Sequence, residues 1–450
     1  MEACKTDQQI CLPDSKQPRV VIIGGGFAGI ALAKKLKNSP YQVVLLDRNN
    51  FHQFQPLLYQ VATSGLEPDS IVFPFRKMFS GYKNLVYRMA EVEEIEPEIQ
   101  QVYTDKGGLS YDYLVLATGS QTNFFGLEQL MENSTGMKDI REALNIRHIV
   151  LQNLEKAAIT CDFKEKDILS NFIIVGGGPA GVEMAGALAE FRNYILPKDY
   201  PELMPDDMNI YLLEAGDQLL NGMSSKASGK ALKYLKKLGV EVILNTAVTN
   251  YDGKVARTGD SKELEAATLV WTAGVKGSYP KGVARNGIGK ANRIVTDDYL
   301  RVKGSVNLFA TGDVASVSDL KYPKGHPMVA QVAIQQGRLL GDNLLRLVQG
   351  KSFRPFQYQD KGSLATIGKN RAVADIARFQ FGGYAAWLLW SVVHLMSISG
   401  FRNKVFVGLN WMWSYFNYEK SNRLIIRKYN FRAERKSEIF TEQKYKKSEA

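Results

Sequence analysis

One local pattern occurs twice in this chain, and it restricts the fold more than any other feature. Residues 20–36 read VVIIGGGFAGIALAKKL, and residues 172–188 read FIIVGGGPAGVEMAGAL. Each is a β-branched run, then GxGxxG, then an apolar helix. Each is followed by a second strand that closes on an acid, QVVLLD at Asp47 and NIYLLE at Glu214. The glycines have separate tasks. Gly24 makes the tight turn, Gly26 lets the backbone approach a pyrophosphate, and Gly29 lets helix and strand pack closely. Gly176, Gly178 and Gly181 repeat the set. The helix N-terminus offers free N–H groups and the positive end of its dipole to phosphates, and Asp47 and Glu214 can accept hydrogen bonds from an adenosine ribose. A lone GxGxxG often marks only a turn; two complete strand–loop–helix–strand–acid units predict two dinucleotide sites on α/β domains. The second copy is longer before its acid, and the extra RNYILPKDYPELMPDDM reads as a longer helix plus a Pro-rich loop.

With 450 residues, 45% hydrophobic and 23% charged, the chain is long enough for two or three globular domains, and its composition excludes a collagen, a long disordered chain or a polytopic membrane protein. The three cysteines, Cys4, Cys11 and Cys161, form no CxxC, and four histidines add no metal cluster; free thiols in a reducing compartment are expected, and no metal. The first 17 residues carry neither an export signal nor an Arg-rich presequence and read as a disordered leader.

Three short motifs sort the two nucleotides. LVLATGS (114–120) and LVWTAGV (269–275) are strands running into a small residue and Gly, and NLFATGDVA (307–315) is a strand followed by Thr-Gly-Asp. With these the chain resembles the two-dinucleotide-binding-domain flavoproteins. The resemblance implies non-covalent FAD on the first unit and NAD(P)H on an inserted second unit. It places Thr118, Gly119, Gly312 and Asp313 at the FAD and Gly274 at the nicotinamide nucleotide. The expected division is an FAD domain at 18–122 and 286–350, a NADH domain at 123–285, and a C-terminal membrane-anchoring segment from 351 to 450 with a basic tail. A helix is predicted over 139–158, and a small β-insert within 85–104.

Glu214 favours NADH over NADPH, because an acid suits a free 2′-hydroxyl and Ala215, Gly216 and Asp217 supply no cation for a phosphate. Glu183 stands where the first copy has Ala31. It is either a dipole partner or a carboxylate beside the nicotinamide that positions the ring and handles protons. No cysteine pair is placed to relay electrons, so hydride must pass directly from NADH to FAD N5.

PMVAQVAIQQGRLLGDNLLRLV (327–348) follows Thr-Gly-Asp with helical spacing, and Gln331 and Gln335 share one face. Their amides can hydrogen-bond quinone carbonyls or serve as an ordinary solvated pair. Backbone amides near Ala330 can stabilise negative charge on reduced flavin. AQVAIQQG, FHQFQPLLYQVATSGLEP (51–68) and AWLLWSVVHL…GFRNK…NWMWSYF (386–416) resemble the type II, non-proton-pumping NADH:quinone dehydrogenases over nearly the whole chain. That resemblance implies that Gln331 and Gln335 border the quinone and that Glu183 acts at the nicotinamide.

Residues 382–400 form a 19-residue stretch without formal charge, at the lower edge of a transmembrane span. His394, three serines, Trp387 and Trp390 within it, and Arg378, Arg402 and Lys404 around it, favour a helix lying in the interface. Of the +11 net charge, +8 falls between Ile376 and Ala450, which favours an anionic membrane surface over nucleic acid. The expected location is peripheral, on the cytoplasmic face of a bacterial-type inner membrane, with a homodimer as a further use of the aromatic end. Two other readings remain open here: a soluble NAD(P)H:ferredoxin or related flavin reductase, and a non-turnover protein whose shape responds to FAD and NADH.

Overall fold

Strand Arg19–Ile23 is buried along all but its first residue, as an unbroken VVII run requires of a parallel strand covered on both faces. It lies third in a five-stranded parallel sheet ordered Leu308–Ala310, Tyr113–Leu116, Arg19–Ile23, Gln42–Asp47, Leu85–Met89. The structure is a computed structural model that describes residues 9–283, 287–420 and 422–426. Its chain divides into two units, each with its own parallel sheet.

The first unit draws on Met1–His52, Phe73–Gln121 and Val275–Asp360. The first glycine helix, Phe27–Lys35, packs on the glutamine helix, Ala330–Val348. The two approach closely because a Cβ on Gly337 would collide with the Ala28 carbonyl. Val20, Ile22, Leu32, Val43, Leu45 and Phe309 are wholly buried between sheet and helices, and each such side chain contributes roughly 1.5–3 kcal/mol. The β-insert expected within 85–104 is shifted: Leu85–Met89 belongs to the parallel sheet, and the insert is the three antiparallel strands Val92–Glu96, Gln101–Thr104 and Gly107–Ser110. The expected leader is corrected in part. Residues 1–8 lie outside the described residues, but residues 10–13 are held: Ile10 N donates to Gly108 O at 2.9 Å, Arg88 donates to Cys11 O, Gln42 Nε2 donates to Pro13 O at 2.7 Å, and Ile10 and Leu12 pack on an apolar cluster. Two apolar residues in a polar stretch are enough to dock it.

The second unit draws on Gln53–Val72, Thr122–Gly274 and the chain from Lys361. Its parallel sheet runs Glu241–Ile243, Ile210–Leu213, Phe172–Val175, Thr268–Trp271. The second glycine helix spans Pro179–Tyr194. The predicted linking helix spans Ile140–Ile159, its start capped by Asp139, which accepts the Glu142 amide at 2.9 Å.

Two boundaries differ from expectation. Residues 53–72 belong to the second unit, where the short helix Leu58–Ala62 buries Leu58, Tyr59 and Val61 against its neighbours. The C-terminal segment is not one membrane element either. Residues 351–360 belong to the first unit, with Phe356 buried in its core. Ser363–Gly368, Arg371–Ile376 and Phe379–Gly382 form an antiparallel sheet that lies on the second glycine helix, where Gly186 leaves no room for a Cβ beside the Ile367 carbonyl. The two C-terminal helices, Tyr384–Ser397 and Phe401–Asn417, carry exposed aromatic residues, among them Tyr384, Phe401, Phe406, Trp413 and Phe416. The charge-free stretch becomes a 14-residue helix: Gly383, at φ 87°, precedes its first turn, the chain is already extended at Ile398, and Gly400, at φ 86°, precedes the next helix. Among the described residues no helix is long and apolar enough to cross a membrane. Residues 427–450 of the basic tail lie outside the described residues.

Candidate functional site

The two glycine loops are built alike. Gly24 and Gly176 turn at φ 103° and 111°, and a Cβ on either would strike the backbone of the neighbouring strand end, at Ala117 or Ala273. A Cβ on Gly29 or Gly181 would run into the carbonyl of Gly24 or Gly176, so only glycine lets each helix seat on its strand. Beside the middle position there is room: a Cβ on Gly178 meets nothing within 4 Å, and one on Gly26 meets only Ala117 O at 4.0 Å. That clearance, in front of helix starts with no side-chain cap and no acid in the first turn, fits a pyrophosphate.

The strand-end acids repeat one another as well. Asp47 accepts the Gly25 amide at 2.6 Å and the Asn49 amide at 2.7 Å. Glu214 accepts the Gly177 amide at 2.5 Å and the Gly216 amide at 2.7 Å. Each carboxylate thereby holds its loop in shape. Burial raises the Asp47 pKa, with the Gly25 and Asn49 amides pulling it back. His52, to which the sequence reading gave no role, supports the first loop: its Nδ1 lies 3.1 Å from Gly25 O, and burial lowers its pKa to about 4. A neutral ring with Nδ1–H donating satisfies that contact.

The Thr-Gly-Asp turn closes the first unit's site. Ser120 Oγ donates to Asp313 Oδ2 at 2.6 Å, Thr118 Oγ1 donates to Ser278 O, and a Cβ on Gly119 meets nothing within 4 Å. The amide of Gly312 is held by Gln336 Oε1 at 2.7 Å. Gln336 is fully buried, and its Nε2 has no hydrogen-bond partner among the described residues. A donor kept dry and open at this turn fits an oxygen-rich cofactor.

Gln331 and Gln335 are half-buried on the glutamine helix, which starts at Ala330 with no side-chain cap. Both ends of the Gln335 amide are engaged: Nε2 donates to Gln359 O at 2.9 Å, and Oε1 accepts the Gln359 amide at 3.0 Å. Gln335 therefore pins the segment that follows its helix.

Glu183 sits on the second glycine helix, 7% exposed. Its Oε1 accepts the Thr366 amide at 3.3 Å, and the Trp390 indole N–H lies near it without a well-formed hydrogen bond. Burial pushes its pKa up to about 8, with Thr366 and Trp390 opposing. Tyr59 lies close enough that the Glu183 charge raises its pKa further. The Tyr59 hydroxyl accepts from Gln60 Nε2 at 2.9 Å, and Gln60 Oε1 accepts from Trp411 Nε1 at 2.8 Å. Tyr59, the C-terminal sheet through Thr366 and the first C-terminal helix through Trp390 thus surround one carboxyl in the second unit, and Trp411 of the second C-terminal helix holds Gln60 beside Tyr59. Gly274 lies against the Phe125 ring, which a Cβ would meet at 2.8 Å. Among the described residues no group of acids, histidines and cysteines could hold a metal, and Cys11 and Cys161 are exposed and unpaired.

Comparison with known proteins gives consistent results. Residues 18–337 match the pyridine nucleotide-disulphide oxidoreductase family, and residues 361–417 match the NDH2 C-terminal domain. The type II NADH:quinone oxidoreductase NdhA of Mycobacterium tuberculosis is 35% identical over 90% of this chain and 89% of its own. The type II NADH:quinone oxidoreductase of Staphylococcus epidermidis is 29% identical over 84% and 95%. In fold the chain is similar to the NDH2 of Plasmodium falciparum solved in complex with NADH, with a TM-score of 0.84, 21% identity, and coverage of 92% of this chain and 100% of that one.

Proposed function

This chain belongs to the type II NADH:quinone oxidoreductases, within the pyridine nucleotide-disulphide oxidoreductase family, and from that premise we infer how its residues divide the work. It oxidises NADH and reduces a quinone. FAD, when bound, supplies the two-electron carrier that takes hydride at N5 and passes reducing equivalents on. The observation that carries the reading is the matched pair of loops, each with its middle glycine clear and its strand-end acid bonded to the loop amides.

In this reading Gly24, Gly26, Gly29, Asp47, Thr118, Gly119, Gly312 and Asp313 hold FAD, and Gln336 joins them by fixing the Gly312 amide. The uncapped amides at Ala330 favour negative charge on the reduced group. Gly176, Gly178, Gly181, Glu214 and Gly274 hold NADH, with Glu214 selecting the 2′-hydroxyl. Glu183 is a neutral acid at physiological pH. It holds a proton at a dry carboxyl on the NADH helix, able to orient a carboxamide or supply the proton that quinone reduction consumes. Gln331 presents an amide to the quinone, and Gln335 keeps the segment behind it in place.

The protein docks on a membrane surface without spanning it. Leu388, Val392, Met396, Phe401, Trp413 and Phe416 are all nearly half or more exposed, and the sequence that follows them is rich in Lys and Arg, which together support binding at an anionic membrane surface. The cytoplasmic leaflet, with its anionic lipids, suits that charge. The same face is broad enough to pair two copies, and light scattering in detergent reads that state. A soluble ferredoxin reductase gives this face no purpose. The test is NADH oxidation in sealed vesicles containing a long-tailed quinone. Quinone-dependent turnover with no transmembrane proton gradient is expected; turnover indifferent to quinone would remove the acceptor assignment.

A further inference from the structure

The second C-terminal helix borders a groove of about 700 Å3, a volume suited to a small-molecule ligand. Its lining has a charged end and a mainly apolar run, which Asn410 interrupts and Glu419 closes, the Glu419 Oε2 accepting from Trp413 Nε1 at 2.9 Å. Glu67, Asp69 and Arg402 stand at the start of the helix, and Phe406, Leu409, Trp413 and Phe416 follow along it. These four recur at helical spacing on one face, and each is more than half exposed. From Arg402 to Phe416 the helix runs about 21 Å, the reach of a fatty-acyl chain.

The polar end is rigid. Asn403 is buried, and its Nδ2 donates to Asp69 O at 3.0 Å and Val72 O at 2.9 Å, tying the acidic turn to the helix start. Ser70 Oγ donates to Glu67 Oε2 at 3.1 Å. The Arg402 guanidinium stands 4.8 Å from the Phe406 ring centroid, which keeps its charge at this end. The helix begins with no side-chain cap and no acid in its first turn, so its amides and dipole favour an anion. Glu67, Asp69 and Arg402 line the same groove as the helix start, a set of charges of both signs that complements a zwitterion with an apolar tail.

We propose that this groove binds a phospholipid with a primary-amine headgroup. The phosphate lies on Arg402 and the helix start, the ammonium is shared by Glu67 and Asp69, and an acyl chain follows Phe406, Leu409, Trp413 and Phe416. A choline headgroup has no N–H to donate to the carboxylates, and a glycerol headgroup has no cation. The proposal rests on the membrane-surface reading above and goes beyond it, because it assigns headgroup selectivity.

Flotation of the full-length, FAD-loaded protein tests it, with vesicles of phosphatidylcholine alone or with added phosphatidylethanolamine or phosphatidylglycerol. The expected result is about a fivefold preference for ethanolamine- over choline-containing vesicles, the scale of one exposed ionic hydrogen bond. Glu67→Gln with Asp69→Asn brings that preference to parity while binding to phosphatidylcholine persists, and flavin content and urea midpoint confirm an intact fold. Equal wild-type binding to both lipids, or a preference that survives the double variant, overturns the site and leaves membrane docking standing. A dimer that dissociates on Trp413→Asp also overturns it, because a second copy then fills the groove. No flotation with any vesicle overturns the membrane reading itself.

Discussion

Gln336 Oε1 accepts the backbone N–H of Gly312 at 2.7 Å, in a place where neither residue meets water. The bond holds the Thr-Gly-Asp turn against the glutamine helix. Gln336→Leu leaves that amide buried without an acceptor, at a cost of about 1–3 kcal/mol. The predicted outcome is a folded protein with a weakened flavin site. The FAD-to-protein ratio after gel filtration falls and recovers when FAD is added in excess. A variant that retains full flavin and an unchanged urea midpoint removes Gln336 from the site.

Glu214 is tied to two loop amides, and in the proposed function it also reads the ribose 2′-hydroxyl of NADH. Glu214→Arg replaces that acceptor with a cation suited to a 2′-phosphate. The KM for NADH should rise about tenfold or more, and the NADH-to-NADPH preference in kcat/KM should fall further, as each lost charge-assisted bond is worth about 1.5–3 kcal/mol. Parallel changes for both nucleotides mean that Glu214 shapes the loop but does not read the 2′ position.

Protonation of Glu183 gives stability a pH dependence. Its value in the fold is about 8 against an ordinary 4.5, raised by burial. The stability linked to the neutral carboxyl is fully present below about 4.5, declines across the window, and is lost as pH rises through about 8. Glu183→Gln keeps the shape and cannot ionise. The difference in unfolding free energy between wild type and variant, from urea titrations, should shift in the variant's favour from pH 5 to pH 8.5, by on the order of a few kcal/mol. A pH-independent difference contradicts the buried-acid assignment.

Val392 and Met396 are 51% and 64% exposed on the first C-terminal helix, whereas Trp390 is 2% exposed. Val392→Glu with Met396→Glu removes two apolar anchors, each worth roughly 1.5–3 kcal/mol if inserted. Vesicle binding should fall more than tenfold, while NADH oxidation with a short-tailed, water-soluble quinone is kept. Trp390→Ala should instead reduce stability, because that ring fills the interior beside Tyr59 and His394. Equal loss of vesicle binding in both variants would show that the faces have been misassigned.

Much of the fold was legible because glycine spacing carries strict steric meaning. Gly24, Gly29, Gly176 and Gly181 each occupy a place where a Cβ has nowhere to go, and the acids that end the next strands follow from the same unit. The C-terminal helices were legible as aromatic but not by face: composition gives Trp390 and Trp413 alike, and packing buries one and exposes the other. Gln336 was hidden by its neighbour. Adjacent residues on a helix point about 100° apart, so the pair on one face, Gln331 and Gln335, drew attention from the buried one. Residues 53–72 interrupt the first unit only because Tyr59 and Val61 bury in the second, a long-range match that no local pattern encodes.

The central claim is that this chain alone carries electrons from NADH through FAD to quinone. Anaerobic mixing of the flavin-replete protein with NADH, followed by addition of quinone-loaded vesicles, tests it most directly through flavin absorbance. The account predicts that NADH bleaches the yellow flavin and that quinone restores it, with quinol formed in proportion and no other protein present. Flavin that stays oxidised with NADH, or reduced flavin that quinone does not reoxidise, contradicts it.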